Sequence, residues 1–147
     1  RTMRLLETNI DDMAPELLAY AQEKLMAAGA ADAWFTSIQM KKNRPAVMLS
    51  VLCSEALEAD MVRLILRETT TLGVRSRDVR RFEAEREVVE FESSLGRVAV
   101  KVKRLPDEPP RAAPEFEVCR KLADAHGLAL AEVYRIVSAE AEAHIKR

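Results

Sequence analysis

AWFTSIQMKKNRPAVMLSVLC, residues 33–53, sets two strand-like runs on either side of a basic turn. Ala33 to Gln39 reads as a strand, with Trp34, Ile38 and the adjoining Met40 on one side. Val47 to Cys53 is a nearly unbroken apolar run of strand length. The turn between them, Met40 to Pro45, displays its charges at a sheet edge or rim. Lys41, Lys42 and Arg44 repel one another there, with Asn43 among them, and an anion such as a polyphosphate or carboxylate would relieve that repulsion. A solvated turn fits the same residues.

Working outward toward the start, Met3 to Thr8 is a short strand candidate that runs into Asn9-Ile10-Asp11-Asp12. A helix is expected from Ala14 to Ala28, capped by Asp11 or Asp12, with Pro15 tolerated in its first turn and Glu16 at the positive end of its dipole. Leu17, Leu18, Ala21, Leu25 and Ala28 recur at helical spacing, and Gly29 can take the left-handed closing position. Downstream of the decisive stretch, Ser54 is a candidate cap for a helix with an apolar stripe of Leu57, Met61, Leu64 and Ile65. Arg67-Glu68-Thr69-Thr70-Thr71 ends that helix, because consecutive β-branched threonines before Gly73 disfavour more of it. Val74 to Arg80 alternates and supplies a further strand.

The order is βαββαβ, the pattern of an α+β ferredoxin-like sandwich, with two helices on one face of an antiparallel four-stranded sheet. It accounts for residues 1–80. The strand from Val47 to Val51 is apolar on both sides, so the sheet's second face is expected to be covered by a later segment or by another subunit. A homo-oligomer is the expectation.

Residues 81–147 read as a β-hairpin, a connector and two helices. Val88, Glu90 and Glu92 alternate with Val89, Phe91 and Ser93. After the turn Ser94-Leu95-Gly96-Arg97, Val98, Val100 and Val102 alternate with Ala99, Lys101 and Lys103. The Glu side of one strand is expected opposite the Lys side of the other. Leu105 to Pro114 holds four of the six prolines and reads as a stiff connector rather than an element. Pro114 is expected to open a helix with Phe116, Cys119, Leu122 and Ala123 on one face, ending at Gly127. Leu130, Val133, Tyr134, Val137 and Ala141 give the last helix its stripe.

The 147 residues are 48% hydrophobic and 32% charged, with a formal net charge of -1. A general nucleic-acid binder would be distinctly basic, so no nucleic-acid partner is expected. No apolar run approaches the roughly 18 residues of a membrane span, so no membrane partner is expected either, and a cytoplasmic protein is the expectation. The start at Arg1, without an initiating methionine, suggests a fragment of something longer. Cys53 and Cys119 are far apart and form no C-x-x-C pair, so neither a disulfide framework nor a zinc site is indicated. His126 and His144 are likewise isolated.

The glycines are too scattered for a phosphate-binding loop, so any nucleotide must be held by side chains. The cations available are Lys41, Lys42, Arg44, Arg67, Arg75, Lys101 and Lys103. Glu7, Asn9, Asp11 and Asp12 form a dense set of oxygen ligands suited to Mg or Mn on a triphosphate. A helix cap with solvated neighbours explains the same residues. Thr69 to Thr71 can ligate phosphate or simply end a helix.

ETNIDDM (Glu7 to Met13), MKKNRP (Met40 to Pro45), RETTTLGVR (Arg67 to Arg75) and PEFEVCRKLA (Pro114 to Ala123) together resemble the C-terminal domain of the nickel-insertion proteins of nickel-pincer cofactor biosynthesis, the LarC family. The likeness spans about Met3 to Tyr134. One departure is visible, in that Phe116 and Val118 stand where the family segment carries tyrosine and aspartate. The resemblance implies a CTP-dependent nickel chelatase, or cyclometallase, with nickel as its substrate metal. Its organic substrate would be a pyridinium bisthiocarboxylic acid mononucleotide, and the product the cofactor of lactate racemase. It implies CTP bound with Mg or Mn here, and an N-terminal domain that is not visible in this sequence. On that basis Lys41, Lys42, Asn43, Arg44, Arg67 and Arg75, with Thr69, Thr70 and Thr71, are expected to hold the nucleotide. Glu7, Asp11 and Asp12 are expected to hold its metal. The alternative is a non-catalytic ferredoxin-like module for ligand sensing or oligomerisation, which would need neither the basic turn nor the acidic loop.

Overall fold

The computed structural model describes residues 1–146 and divides into two compact units, Arg1–Phe82 and Glu83–Arg147. In the first unit β1 (Thr2–Ile10), α1 (Pro15–Ala27), β2 (Asp32–Met40), β3 (Arg44–Cys53), α2 (Glu58–Glu68) and β4 (Arg75–Arg80) follow one another. The strands lie in the order β2-β3-β1-β4, and every pair is antiparallel. The chain is therefore α+β, and the βαββαβ order expected of a ferredoxin-like sandwich is present.

Alternation along the strands decides what each face carries. Leu6 lies opposite Val51, and Thr8 opposite Leu49, which in turn faces Phe35. This side of the sheet meets Leu18 and Leu25 of α1 and Met61 and Ile65 of α2 in one core. Each large side chain fully withdrawn from water there contributes about 1.5–3 kcal/mol. Glu7, Asn9, Met48, Trp34, Arg75 and Arg77 occupy the other side, by the same alternation.

Three local expectations change. Leu17 is 55% exposed, because the buried stripe of α1 is Leu18, Ala21 and Leu25. Neither aspartate caps α1, whose N-cap Ala14 receives no side-chain hydrogen bond, since both carboxylates are drawn to other segments. Ser54 likewise makes no cap bond, and a short 3-10 turn, Glu55–Leu57, precedes α2. Gly29 does close α1, at φ 102°.

In the second unit β5 (Glu85–Ser93), β6 (Gly96–Leu105) and β7 (Glu108–Pro114) form an antiparallel sheet, followed by α3 (Phe116–His126) and α4 (Leu130–Ile145). Phe91, Val98, Val100 and Val102 pack with Cys119 and Ala123 of α3 and with Val133, Val137 and Ala141 of α4. The proline-rich stretch is thus a strand and not a connector. Proline lacks the N–H that a central strand needs, but β7 is an edge strand, and Pro109 and Pro110 fall where its register with β6 shifts between Lys103 and Leu105. Pro114 ends β7, so α3 begins two residues later and Phe116 is left 53% exposed. The Glu side of β5 does lie opposite the Lys side of β6, as expected, but residue by residue no glutamate faces a lysine. Glu90 lies opposite Ala99 and Glu92 opposite Arg97, whereas Lys101 faces Val88 and Lys103 faces Arg86.

Candidate functional site

Antiparallel pairing brings three loops of the first unit to one end of its sheet. β1 ends at Ile10 opposite Val47, close to the start of β3, and β4 begins at Arg75 opposite Glu7. The loop after β1, the basic turn between β2 and β3, and the threonine loop between α2 and β4 therefore converge. The turn is unusually bent for its composition. Lys42 and Asn43 both sit in the left-handed region, at φ 59° and 55°, a conformation that asparagine tolerates and lysine adopts at a cost. Gln39 Nε2 donates to Asn43 Oδ1 at 3.1 Å across the turn.

Specific contacts lace the loops together. Arg44 Nη1 lies 3.5 Å from Asp11 Oδ2. The Thr70 hydroxyl donates to Asp12 Oδ1. Arg75 Nη2 donates to Asn9 Oδ1 at 3.0 Å and stands 3.7 Å from Glu7 Oε2, while Arg77 Nη2 donates to Glu7 Oε1 at 3.0 Å. The Thr8 and Thr71 hydroxyls bond to each other, and both reach the Gly73 carbonyl, at 2.9 and 3.0 Å. Two hydroxyl protons serve three such contacts, so one always links the hydroxyls and the other goes to the carbonyl.

The expected site residues divide accordingly. Asp11, Asp12, Arg44, Thr70 and Arg75 are brought into this chain of contacts. Lys41 and Lys42 are exposed on the turn, with no ion-pair partner among the described residues. Arg67 pairs instead with its neighbour Glu68 at 3.6 Å. Thr69 closes α2, its hydroxyl and its N–H both donating to Ile65 O, at 2.8 and 3.0 Å. Glu7 points to the sheet face away from the helices, between Arg75 and Arg77.

The carboxylates do not make a self-sufficient metal site. Among the described residues no three of His, Cys, Asp and Glu are grouped to hold an ion. A Mg²⁺ or Mn²⁺ that arrives on a triphosphate needs only one or two protein carboxylates, and Asp11 and Asp12 fit that smaller requirement. The sequence reading missed a hollow of about 210 Å³ beside Asp11. It is lined by Ile10, Asp11, Met13, Leu18, Pro45 and Val47 among others, and is mostly apolar with a carboxylate in its wall. Its lining comes from β1, the loop that follows it, α1 and β3, and no local pattern announces such a meeting.

Fold and site together define an α+β protein whose first unit gathers cations, carboxylates and hydroxyls at one end of its sheet. The chain belongs to the nickel insertion protein family, whose model matches residues 1–134. It is 50% identical over 142 residues to a protein of Roseiflexus castenholzii named for nickel insertion, covering 97% of this chain and 36% of that protein. It is 42% identical over 133 residues to a pyridinium-3,5-bisthiocarboxylic acid mononucleotide nickel insertion protein of Thermotoga petrophila, covering 90% of this chain and 34% of that one. The chain thus spans about a third of the length of the curated relatives it matches.

Among solved structures it is similar to LarC2, described as the C-terminal domain of a cyclometallase involved in synthesis of the NPN cofactor of lactate racemase, in its apo form. That match has TM-score 0.89 and 36% identity and covers 95% of this chain and 98% of that one. A protein from Methanopyrus kandleri matches with TM-score 0.64 and 26% identity, covering 93% of this chain and 84% of that one. No helix among the described residues is long and apolar enough to cross a membrane.

Proposed function

We propose that this chain is the nucleotide-binding part of a nickel insertase, holding CTP with a divalent cation at the loop end of its first unit. The whole protein would insert nickel, as substrate, into a pyridinium bisthiocarboxylic acid mononucleotide. The observation that carries this reading is the convergence of Asp11 with Arg44, Asp12 with Thr70 and Asn9 with Arg75 at one end of the sheet. Mixed charges there are partly satisfied by one another and can be redistributed when a triphosphate and its cation arrive together.

In this reading Lys41, Lys42 and Arg44 neutralise phosphate oxygens, and Arg75 is close enough to Asn9 to be released toward them. Asp11 and Asp12 are the carboxylates offered to Mg²⁺ or Mn²⁺, which would supply charge neutralisation and phosphate orientation. The apolar hollow beside Asp11 has room for a base. Arg67, paired with Glu68, and Glu7, held between Arg75 and Arg77, contribute less than their sequence positions suggest. Self-association remains part of the proposal, since the strand β3 is apolar on both faces.

Calorimetric titration with CTP, ATP, GTP and UTP, each with and without Mn²⁺, tests the proposal. Selective, metal-dependent CTP binding is expected. Absence of binding by a folded sample would remove the nucleotide site from this chain.

A further inference from the structure

The sheet of the second unit carries a row of like charges. Arg86 on β5 faces Lys103 on β6, and Lys103 faces Arg111 on β7, so three cations line up across three strands on one face. Adjacent strands are only about 4.8 Å apart, and like charges placed directly opposite destabilise a sheet. Elsewhere this sheet avoids the problem. Arg97 donates to Glu90 at 2.7 Å, Arg104 donates to Glu87, and Lys101 lies 3.3 Å from Glu115. Arg111 is partnered by Glu108 at 2.7 Å. Among the described residues Arg86 and Lys103 have no carboxylate partner, and both are exposed.

Beside this row lies a hollow of about 330 Å³ lined by Arg86, Glu87, Val88 and Lys101, in which Val88 is 63% exposed. Unpaired cations next to an open apolar side chain form a surface for a small ligand with an anionic group at one end and a flat, less polar body. We infer that this face is a second anion site, distinct from the loops of the first unit, and that it takes the phosphate of a pyridinium mononucleotide. The identity of the ligand rests on the nickel-insertion reading. The existence of an anion site rests on the charge row alone. A phosphate dianion between Arg86 and Lys103 would replace their repulsion by two charge-assisted contacts, and the pyridinium ring would lie over Val88.

Calorimetry and amide NMR on the full chain test this, using nicotinic acid mononucleotide, its dephosphorylated riboside and inorganic phosphate as probes. The mononucleotide is expected to bind, to shift amides near 86–88 and 101–103, and to bind the double variant Arg86→Gln, Lys103→Gln about ten-fold more weakly or worse. The riboside should not bind detectably. The variant should melt no lower than the parent, since it loses only repulsion. No binding, equal affinity for the variant, or shifts confined to residues 9–12 and 41–44 would overturn the inference. Inorganic phosphate binding as tightly as the mononucleotide would overturn the assignment of the ligand. CTP titrated into the same two proteins separates the readings, because a failure of CTP to bind bears on the first unit and leaves the mononucleotide result to decide this surface.

Discussion

The Thr70 hydroxyl donates to the Asp12 carboxylate, joining two residues 58 positions apart and tying the loop that leaves α2 to the loop that enters α1. The same carboxylate is offered to the proposed cation. An Asp12→Asn substitution keeps the carbonyl acceptor for Thr70 and removes the charge. The fold should survive, while the gain in CTP affinity on adding Mn²⁺ should fall by about ten-fold or more. Titrations of wild type and variant with and without Mn²⁺ measure it, and an equal metal response would leave Asp12 as a loop tie alone.

Arg44 faces Asp11 in an ion pair whose side chains are 53% and 20% exposed, so the pair contributes little to stability. Arg44→Ala should therefore change the unfolding free energy by less than about 1 kcal/mol. It should weaken nucleotide binding by about 1–3 kcal/mol through loss of a charge-assisted contact. Chemical denaturation and calorimetry separate the two effects, and unchanged affinity would remove the basic turn from the site.

Lys42 holds φ 59°, which a residue with a Cβ adopts at a cost of about 1 kcal/mol. Part of that cost returns as greater freedom of the unfolded chain when glycine replaces it. Lys42→Gly should thus be neutral or slightly stabilising while lowering CTP affinity. A clear loss of stability would mean that the lysine side chain supports the turn and not a ligand.

Leu49 is fully buried between Thr8 of β1 and Phe35 of β2. Leu49→Ala should cost about 2–5 kcal/mol by removing apolar contacts and leaving a cavity. Urea unfolding is the direct check, and a cost below about 1 kcal/mol would show that the sheet can collapse around the gap.

Burial raises the thiol pKa of both Cys53 and Cys119, and for Cys53 the nearby Glu58 raises it further. Both thiols should resist alkylation in the folded protein and react on unfolding. The sign of the linkage follows from the raised values. The stabilising contribution of the neutral thiols is fully present below the unfolded thiol pKa and is lost as pH rises through the folded one. Denaturation at mildly and strongly alkaline pH should show that decline, and alkylation of the native protein at neutral pH would contradict the burial.

The elements that could be read in advance are those whose signals are local. Alternation in residues 33–53, the apolar stripe of α2 and the closing Gly29 each depend on neighbours within a turn or a strand. β7 escaped because its three prolines argue against a strand unless the strand lies at an edge, and edge position belongs to the sheet. The chemical content of the candidate site was equally legible, since the basic turn, the acidic loop and the threonines stand out as residue types. Their division was not. Thr69 was spent on ending α2, Glu7 was turned toward Arg75 and Arg77, and Asp12 was drawn to Thr70 rather than to a helix cap.

By itself, then, the sequence determined most of the segments that become strands and helices, most of the faces that seek the core, and which cations and carboxylates the chain can offer a ligand. Only the tertiary structure decided which of these meet. Pairing joins Asn9 to Arg75 and Asp11 to Arg44 across long stretches of chain, and sets Lys103 between Arg86 and Arg111 rather than opposite the glutamates. The physical reason is register. A shift of one residue between strands turns every side chain to the other face, so the partners of a charge are fixed by the turns and buried faces of the whole sheet and not by its neighbours in sequence.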